Sequence, residues 1–107
     1  MSLITRIITN MTMYNPPHPG EFIAEVYLEP NHISGRELAI ALDVAPSTLS
    51  RLLKGSTAVS PAMALRLSKA LGRSPESWLA MQSNYDLWHA RRQVKLGKIA
   101  KLRFSET

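Results

Sequence analysis

The chain has 107 residues, of which 45% are hydrophobic, and these values suit a single domain with one modest core. It contains no cysteine, which excludes disulfide bonds and thiolate metal sites, and its formal net charge of +5 favours polyanionic partners. No apolar run reaches the roughly 18 residues that a membrane span needs, and the first ten residues do not resemble a secretory signal. We therefore expect a cytoplasmic protein without a membrane anchor.

Residues 1–16 are assigned to an N-terminal arm. Their apolar residues fit a strand, a short helix or a frayed extension equally well. Translation could also begin at Met11 or Met13, in which case the first residues are an extension of the gene model. Three prolines, Pro16, Pro17 and Pro19, then predict a rigid extended entry into the first helix.

The first two helices are predicted from apolar spacing and capping residues. Apolar side chains recur at helical spacing over residues 20–28, and Pro30 ends that helix. The second helix is expected to begin after Ser34, whose side chain can accept a hydrogen bond from the backbone of Glu37. Its apolar stripe is only about two turns long, so it must pack against a neighbour to be stable.

The third helix is predicted to follow the second after a turn of about four residues. Pro46 cannot continue a helix but suits the first position of a new one, and Gly55 can end that helix in a left-handed conformation. Leu49, Leu52 and Leu53 then face inward. Two short helices joined by such a tight corner, over about residues 34–55, are typical of a helix-turn-helix.

The outer face of the third helix has the chemistry needed to read DNA. A helix in the major groove needs short hydroxyl side chains that allow close approach, and an arginine whose planar group can pair with guanine. Ser47 and Arg51 lie one turn apart and meet these two needs. The alternative is that they are ordinary solvated residues on a surface helix.

Two more helices are predicted by a serine cap followed by proline. Ser60 with Pro61 begins the fourth, which runs to Leu71, and Ser74 opens the fifth, which extends to about residue 92. Five helices and no convincing strand indicate an all-α domain over residues 17–92. Trp78 is expected in the core, whereas Trp88 suits a dimer contact nearly as well as intramolecular packing.

Charge changes sign where the third helix begins. Residues 21–44 hold five acidic residues against Arg36 alone, and residues 45–75 hold five basic residues and no acidic one. Attraction for phosphate is needed at this place in a DNA-binding protein. Residues 93–107 form a basic C-terminal tail, which is either a solvated, partly disordered extension or a contact for nucleic acid or an acidic protein.

Three separated blocks resemble one family, the HigA-type antitoxins of the phage-repressor-like (XRE) class. They are HPGEFIAEVYLEP at residues 18–30, the helix-turn-helix, and VSPAMALRLSKALGRSPESWLAMQSNYDLW at residues 59–88. The resemblance implies a five-helix, lambda-repressor-like DNA-binding domain with the arm and the tail attached. It also implies two roles: a homodimer that represses its own toxin-antitoxin operon, and a protein that neutralises a RelE-like, mRNA-cleaving toxin.

The same resemblance implies which residues contact double-stranded operator DNA. Those that would face the DNA are Pro46, Ser47, Thr48, Ser50 and Arg51. Lys54, Ser56 and Thr57 would approach the DNA backbone, and Arg36 could touch a phosphate. No cofactor and no metal is implied.

The sequence offers little support for other functions. The three histidines lack metal-ligand spacing, and no phosphate loop or nucleophile elbow occurs, so we do not expect an enzyme. A stand-alone repressor without a toxin is the main alternative, and a protein-interaction module that no longer reads DNA is another. The dimer interface stays open between the N-terminal arm, the fifth helix and the basic tail.

Overall fold

The computed structural model describes residues 15–105, and within that range the chain forms five helices and no strand. The prediction of an all-α fold is confirmed. Residues 1–14, which make up most of the predicted N-terminal arm, lie outside the described residues. None of the described helices is both long enough and apolar enough to cross a membrane.

Helix α1 has two parts with different geometry. It begins as an α-helical turn, Pro19–Phe22, and continues as a π-helical segment, Ile23–Leu28. In the wider turn, Glu29 N–H donates to the carbonyl oxygen of Ala24, five residues back, at 2.9 Å. The helix starts one residue earlier than predicted because Pro19 is accommodated in its first turn. Nothing in the apolar spacing had indicated the π-helical part.

Helices α2, Gly35–Leu42, and α3, Pro46–Leu53, form the predicted helix-turn-helix. Ser34 caps α2 as expected, since its hydroxyl oxygen accepts a hydrogen bond from Glu37 N–H at 3.1 Å. Asp43 ends α2 in the left-handed region, with φ 56°. Asp tolerates this conformation better than most residues, and it turns the chain sharply towards α3.

Helices α4, Pro61–Leu71, and α5, Pro75–Gln93, begin and end close to the predicted positions. The side chains of Ser60 and Ser74 each accept a hydrogen bond from the backbone N–H three residues on, at 3.1 and 3.0 Å. These serine caps satisfy backbone donors that would otherwise lack a partner at the start of each helix.

The core lies between all five helices, and α5 contributes Trp78 to it. Trp78 is fully buried, which confirms its predicted place. The rings of Phe22 and Tyr27 lie 6.0 and 6.1 Å from its ring, and its Nε1–H donates to the Gly72 carbonyl oxygen at 3.0 Å. The other buried apolar residues are Phe22, Ile23, Leu28, Leu38, Ala39, Leu42, Leu49, Leu52, Val59, Met63, Ala64 and Leu67.

A buried amide fixes the loop between α3 and α4. Gln82 on α5 accepts a hydrogen bond from Val59 N–H through Oε1 at 2.9 Å, and its Nε2 donates to Asp86 at 3.0 Å. Without Gln82, the buried Val59 N–H would lose its partner, which is costly. Helix α5 therefore holds the loop that follows the helix-turn-helix.

The chain leaves the helical domain at the end of α5. Residues 94–105 form neither helix nor strand. Their apolar side chains are 54–82% exposed, and these are Val94, Leu96, Ile99, Leu102 and Phe104. Earlier in α5, Trp88 is half-buried and the Arg92 guanidinium lies 4.0 Å from its ring centre. The end of α5 and the tail thus present apolar and cationic groups side by side.

Candidate nucleic-acid interface

Helix α3 buries one face and exposes the other. Leu49 and Leu52 are buried against the core, while Ser47 and Arg51 are exposed. Residues four apart on a helix are neighbours on its surface, so the serine hydroxyl and the guanidinium occupy one patch. The patch combines a short donor-acceptor group with a planar cation, the two groups that suit the edges of base pairs.

The other sequence-predicted site residues surround this patch to different degrees. Most are exposed, and these are Arg36, Pro46, Lys54, Ser56 and Thr57. Thr48 and Ser50 are only half-buried and present less of their side chains. A partner could reach the first group without any rearrangement of the helices.

A shallow groove between the start of α2 and α3 brings several of these residues together. It is lined by Gly35, Arg36, Pro46, Leu49, Ser50, Leu53 and Lys54. Arg36 on α2 and Lys54 at the end of α3 therefore belong to one surface, although 18 positions separate them in the sequence. The structure therefore places two cations, Arg36 and Lys54, along the groove beside α3.

The loop after α3 is held by backbone hydrogen bonds. Gly55 N–H donates to the Leu52 carbonyl oxygen at 3.0 Å, and Ser56 N–H donates to the Arg51 carbonyl oxygen at 2.9 Å. Gly55 has φ 77°, a conformation that other residues rarely adopt. Gly55 thus adopts, just after α3, the left-handed conformation that the predicted glycine stop required.

Sequence reasoning missed one residue behind this surface, His18. Its Nδ1 caps α1 by accepting a hydrogen bond from Gly20 N–H at 2.9 Å, and the side chain is 7% exposed. Burial lowers the pKa of His18, while a hydrogen bond with the Thr57 backbone and the charge of Asp86 act in the opposite direction. The position of a histidine directly before a Pro-Gly helix start was the available signal.

Two of the cations counted in the basic half of the sequence serve the fold. Arg66 Nη1 donates to the carbonyl oxygens of Leu42 and Asp43, at 2.6 and 3.0 Å, and so satisfies the end of α2. The Arg73 guanidinium lies 5.3 Å from the ring of Phe22 and 5.8 Å from that of Trp78. Some of the basic residues that follow the change of charge at α3 therefore stabilise the fold, and the others are exposed on the surface.

Comparisons with known proteins agree with this geometry. A helix-turn-helix family model matches residues 25–78. The chain is 44% identical over 92 residues to the uncharacterized HTH-type transcriptional regulator YddM of Escherichia coli strain K12, covering 86% of this chain and 97% of YddM. It is 38% identical over 84 residues to antitoxin HigA-1 of Vibrio cholerae, covering 78% of this chain and 79% of HigA-1.

Solved structures show the same arrangement of helices. Antitoxin GraA superposes with a TM-score of 0.78 at 38% identity, over 82% of this chain and 98% of GraA. Pseudomonas aeruginosa antitoxin HigA, solved with the higBA promoter, gives a TM-score of 0.69 at 33% identity, over 73% of this chain and 85% of that one. With its helix-turn-helix and these relatives, the chain belongs to the HigA-type family of helix-turn-helix antitoxins.

Proposed function

We propose that this protein is an antitoxin that binds its own operator as a homodimer, represses that operon and neutralises a RelE-like, mRNA-cleaving toxin. The observation that carries the DNA-binding part is the exposed patch of Ser47 and Arg51 on α3, with Arg36 and Lys54 beside it. That the Pseudomonas HigA was solved with promoter DNA supports the same part.

In this proposal the outer face of α3 lies in the major groove. Arg51 pairs with a guanine through its two parallel N–H groups, and Ser47 donates to or accepts from a neighbouring base edge. Pro46, Thr48 and Ser50 line the same approach. These contacts determine which DNA sequence is bound, because base edges differ from one DNA sequence to another and phosphates do not.

The flanking residues bind the phosphates. Arg36 precedes α3 on the groove surface, and Lys54, Ser56 and Thr57 follow it, so each end of the reading helix has donors for the DNA backbone. Such contacts fix the position of the helix in the groove and make binding sensitive to salt. All nine residues predicted from the sequence thus have a place in this proposal.

The dimer in this proposal needs apolar surface that the domain does not cover itself. Exposed apolar side chains are concentrated from Leu87, at 45% exposure, to Phe104, at 82% exposure. Exposed apolar side chains gathered in one stretch of the chain suit a protein interface. The end of α5 and the tail are therefore the described surfaces best suited to meet a second copy.

The toxin-neutralising part is supported by membership of the antitoxin family. We further propose that the chain acts by binding alone, without catalysis, and in the cytoplasm, where operator DNA and translated mRNA are found. The alternative of a regulator without a toxin draws support from YddM, a relative named as a transcriptional regulator. A toxin-like reading frame beside the gene would favour the antitoxin, and its absence would favour the regulator.

One experiment tests both parts together. The chain is co-expressed with the product of the adjacent gene, the pair is co-purified, and the complex is titrated onto the shared promoter at about 0.15 M salt. We expect co-purification, loss of mRNA cleavage by the toxin, and a shifted promoter band that random DNA does not compete away. A chain that neither co-purifies nor shifts the promoter contradicts the proposal.

A further inference from the structure

The imidazole of His18 connects the start of α1 with the loop that follows α3. Nδ1 accepts the hydrogen bond from Gly20 N–H at 2.9 Å, so this nitrogen carries no proton. The bond with the Thr57 backbone favours the protonated ring. One neutral ring bridges two segments that are distant in sequence.

The ring is also packed between three elements. A Cβ atom placed on Gly55 would lie 3.5 Å from Cγ of His18, so Gly55 presents the side of its Cα to the imidazole within reach of a single methyl group. On α5, the Tyr85 ring meets the imidazole edge-on, with centroids 4.9 Å apart and planes at 83°. His18 is only 7% exposed and cannot itself reach DNA from this position.

Charged and titratable groups lie near the ring on α1, at the end of α3 and on α5. Glu21 of α1, Lys54 at the end of α3 and His89 of α5 line the same cleft as His18, and Asp86 acts on it from α5. A proton added to Nδ1 would point at Gly20 N–H, and two donors would then face each other. The hydrogen bond from Gly20 N–H therefore requires an unprotonated Nδ1, that is, a neutral imidazole.

We propose that His18 is a positioning residue for DNA binding, which holds the loop of residues 55–57 against α1 and thereby directs Lys54, Ser56 and Thr57 towards the DNA backbone. The inference rests on the proposed binding of operator DNA. It adds a buried residue that acts through its neighbours, whereas the site residues act by direct contact.

The test compares His18→Asn with a matched control. Asn keeps a side-chain acceptor for Gly20 N–H at the helix cap but lacks the ring that bridges to Thr57. His32→Asn makes the same substitution at an exposed histidine in the loop between α1 and α2. Binding of a labelled operator duplex and of random duplex is measured by fluorescence anisotropy over a range of salt concentrations, near pH 7.5.

We expect His18→Asn to weaken binding to both duplexes by a similar factor, about five- to tenfold. The slope of log affinity against log salt should fall by about one, as for the loss of one phosphate contact. His32→Asn should leave both quantities unchanged. A merely structural role would lower thermal stability without changing the salt slope of the folded protein.

Two outcomes separate this inference from the proposed function. If the wild-type chain does not bind the operator, the proposed function fails. If it binds and His18→Asn has the wild-type affinity and salt slope, the positioning role is overturned. If the variant does not fold, NMR of the wild-type protein provides the test. The amide signals of Gly55, Ser56 and Thr57 should shift as His18 titrates. If these signals do not change with the titration of His18, the positioning role is overturned.

Discussion

Arg51 and Arg66 carry the same guanidinium group, yet the fold gives them different tasks. Arg66 donates to two carbonyl oxygens at the end of α2 and is committed to holding the helix-turn-helix on α4. Arg51 stands on the exposed face of α3, one turn from Ser47. The availability of a cation for DNA is therefore decided by its surroundings and not by its position in a basic stretch.

Replacing Arg51 by Ala should weaken binding to the operator by about 1–3 kcal/mol and relax preference at one base position, because a bidentate contact to a base is lost. Gel shifts with the operator and with single-base variants measure both effects. Lys69→Ala, which removes an exposed cation on α4, is the matched control and should change little. An equal loss on operator and random DNA would show that Arg51 contacts a phosphate.

At the scale of elements, α1 packs on α3 with almost no space between them. A Cβ atom on Gly20 would overlap the carbonyl oxygen of Leu52, which belongs to the backbone of α3. Neither backbone can move aside as a flexible side chain would. The start of α1 thus limits how closely α3 can approach it.

Gly20→Ala should therefore destabilise the domain by about 1–3 kcal/mol, the usual cost of forcing extra volume into a packed site. Urea denaturation followed by circular dichroism gives the free energy of unfolding. Gly97→Ala serves as the control, since a Cβ atom there has no neighbour within 4 Å. Equal stability of the two variants would contradict the close packing of α1 on α3.

The sequence predicted the elements better than the connections between them. Ser34, Ser60 and Ser74 mark helix starts because each side chain bonds to the backbone three residues away, so the signal is local. The hydrogen bonds from Val59 N–H to Gln82 and from Arg66 to the Leu42 carbonyl join residues 23 and 24 positions apart. Their partners depend on how the helices pack, which apolar spacing does not specify.

The candidate site divides in the same way. Ser47 and Arg51 were recognisable because helical spacing alone puts them on one outer face, whereas the burial of His18 depends on three elements meeting around it. In the sequence that histidine is only the first residue of a block resembling HigA-type antitoxins, and its spacing from the other histidines does not suit a metal site. Buried side chains that support the exposed site residues could be identified only from the structure.

At the scale of the whole molecule, pH should act on stability through His18. Its lowered pKa, caused first by burial, means that the unfolded chain binds this proton at a higher pH than the folded chain does. The stabilisation is complete above the unfolded value of 6.5 and is lost as the pH falls below it towards the folded pKa. Stability should therefore decrease from about pH 7.5 to about pH 5.5.

Urea denaturation at several pH values measures this effect in the wild-type chain and in His18→Asn. The wild type should lose more free energy of unfolding than the variant over that interval, because only the wild type has the buried imidazole. If the free energy of unfolding changed with pH equally in the two proteins, the pH dependence would arise from groups other than His18.

Specific binding should also require two copies of the chain. We expect the two recognition helices to lie about 34 Å apart, one turn of the duplex, and a footprint with two half-sites at that spacing. Analytical ultracentrifugation of the complex with DNA gives the number of chains. A monomer that protects a single half-site with full affinity would remove the dimer from the proposal.

The π-helical part of α1 explains how one short helix can hold Trp78 from two positions. Phe22 and Tyr27 both lie beside that ring, although they are five residues apart. At about 100° per residue in an α-helix, such a pair would point in directions roughly 140° apart. The wider π-helical turn turns the chain less per residue, so Phe22 and Tyr27 point in more similar directions. Both rings can then pack against the indole of Trp78. In a regular α-helix, only one of the two rings could contact Trp78.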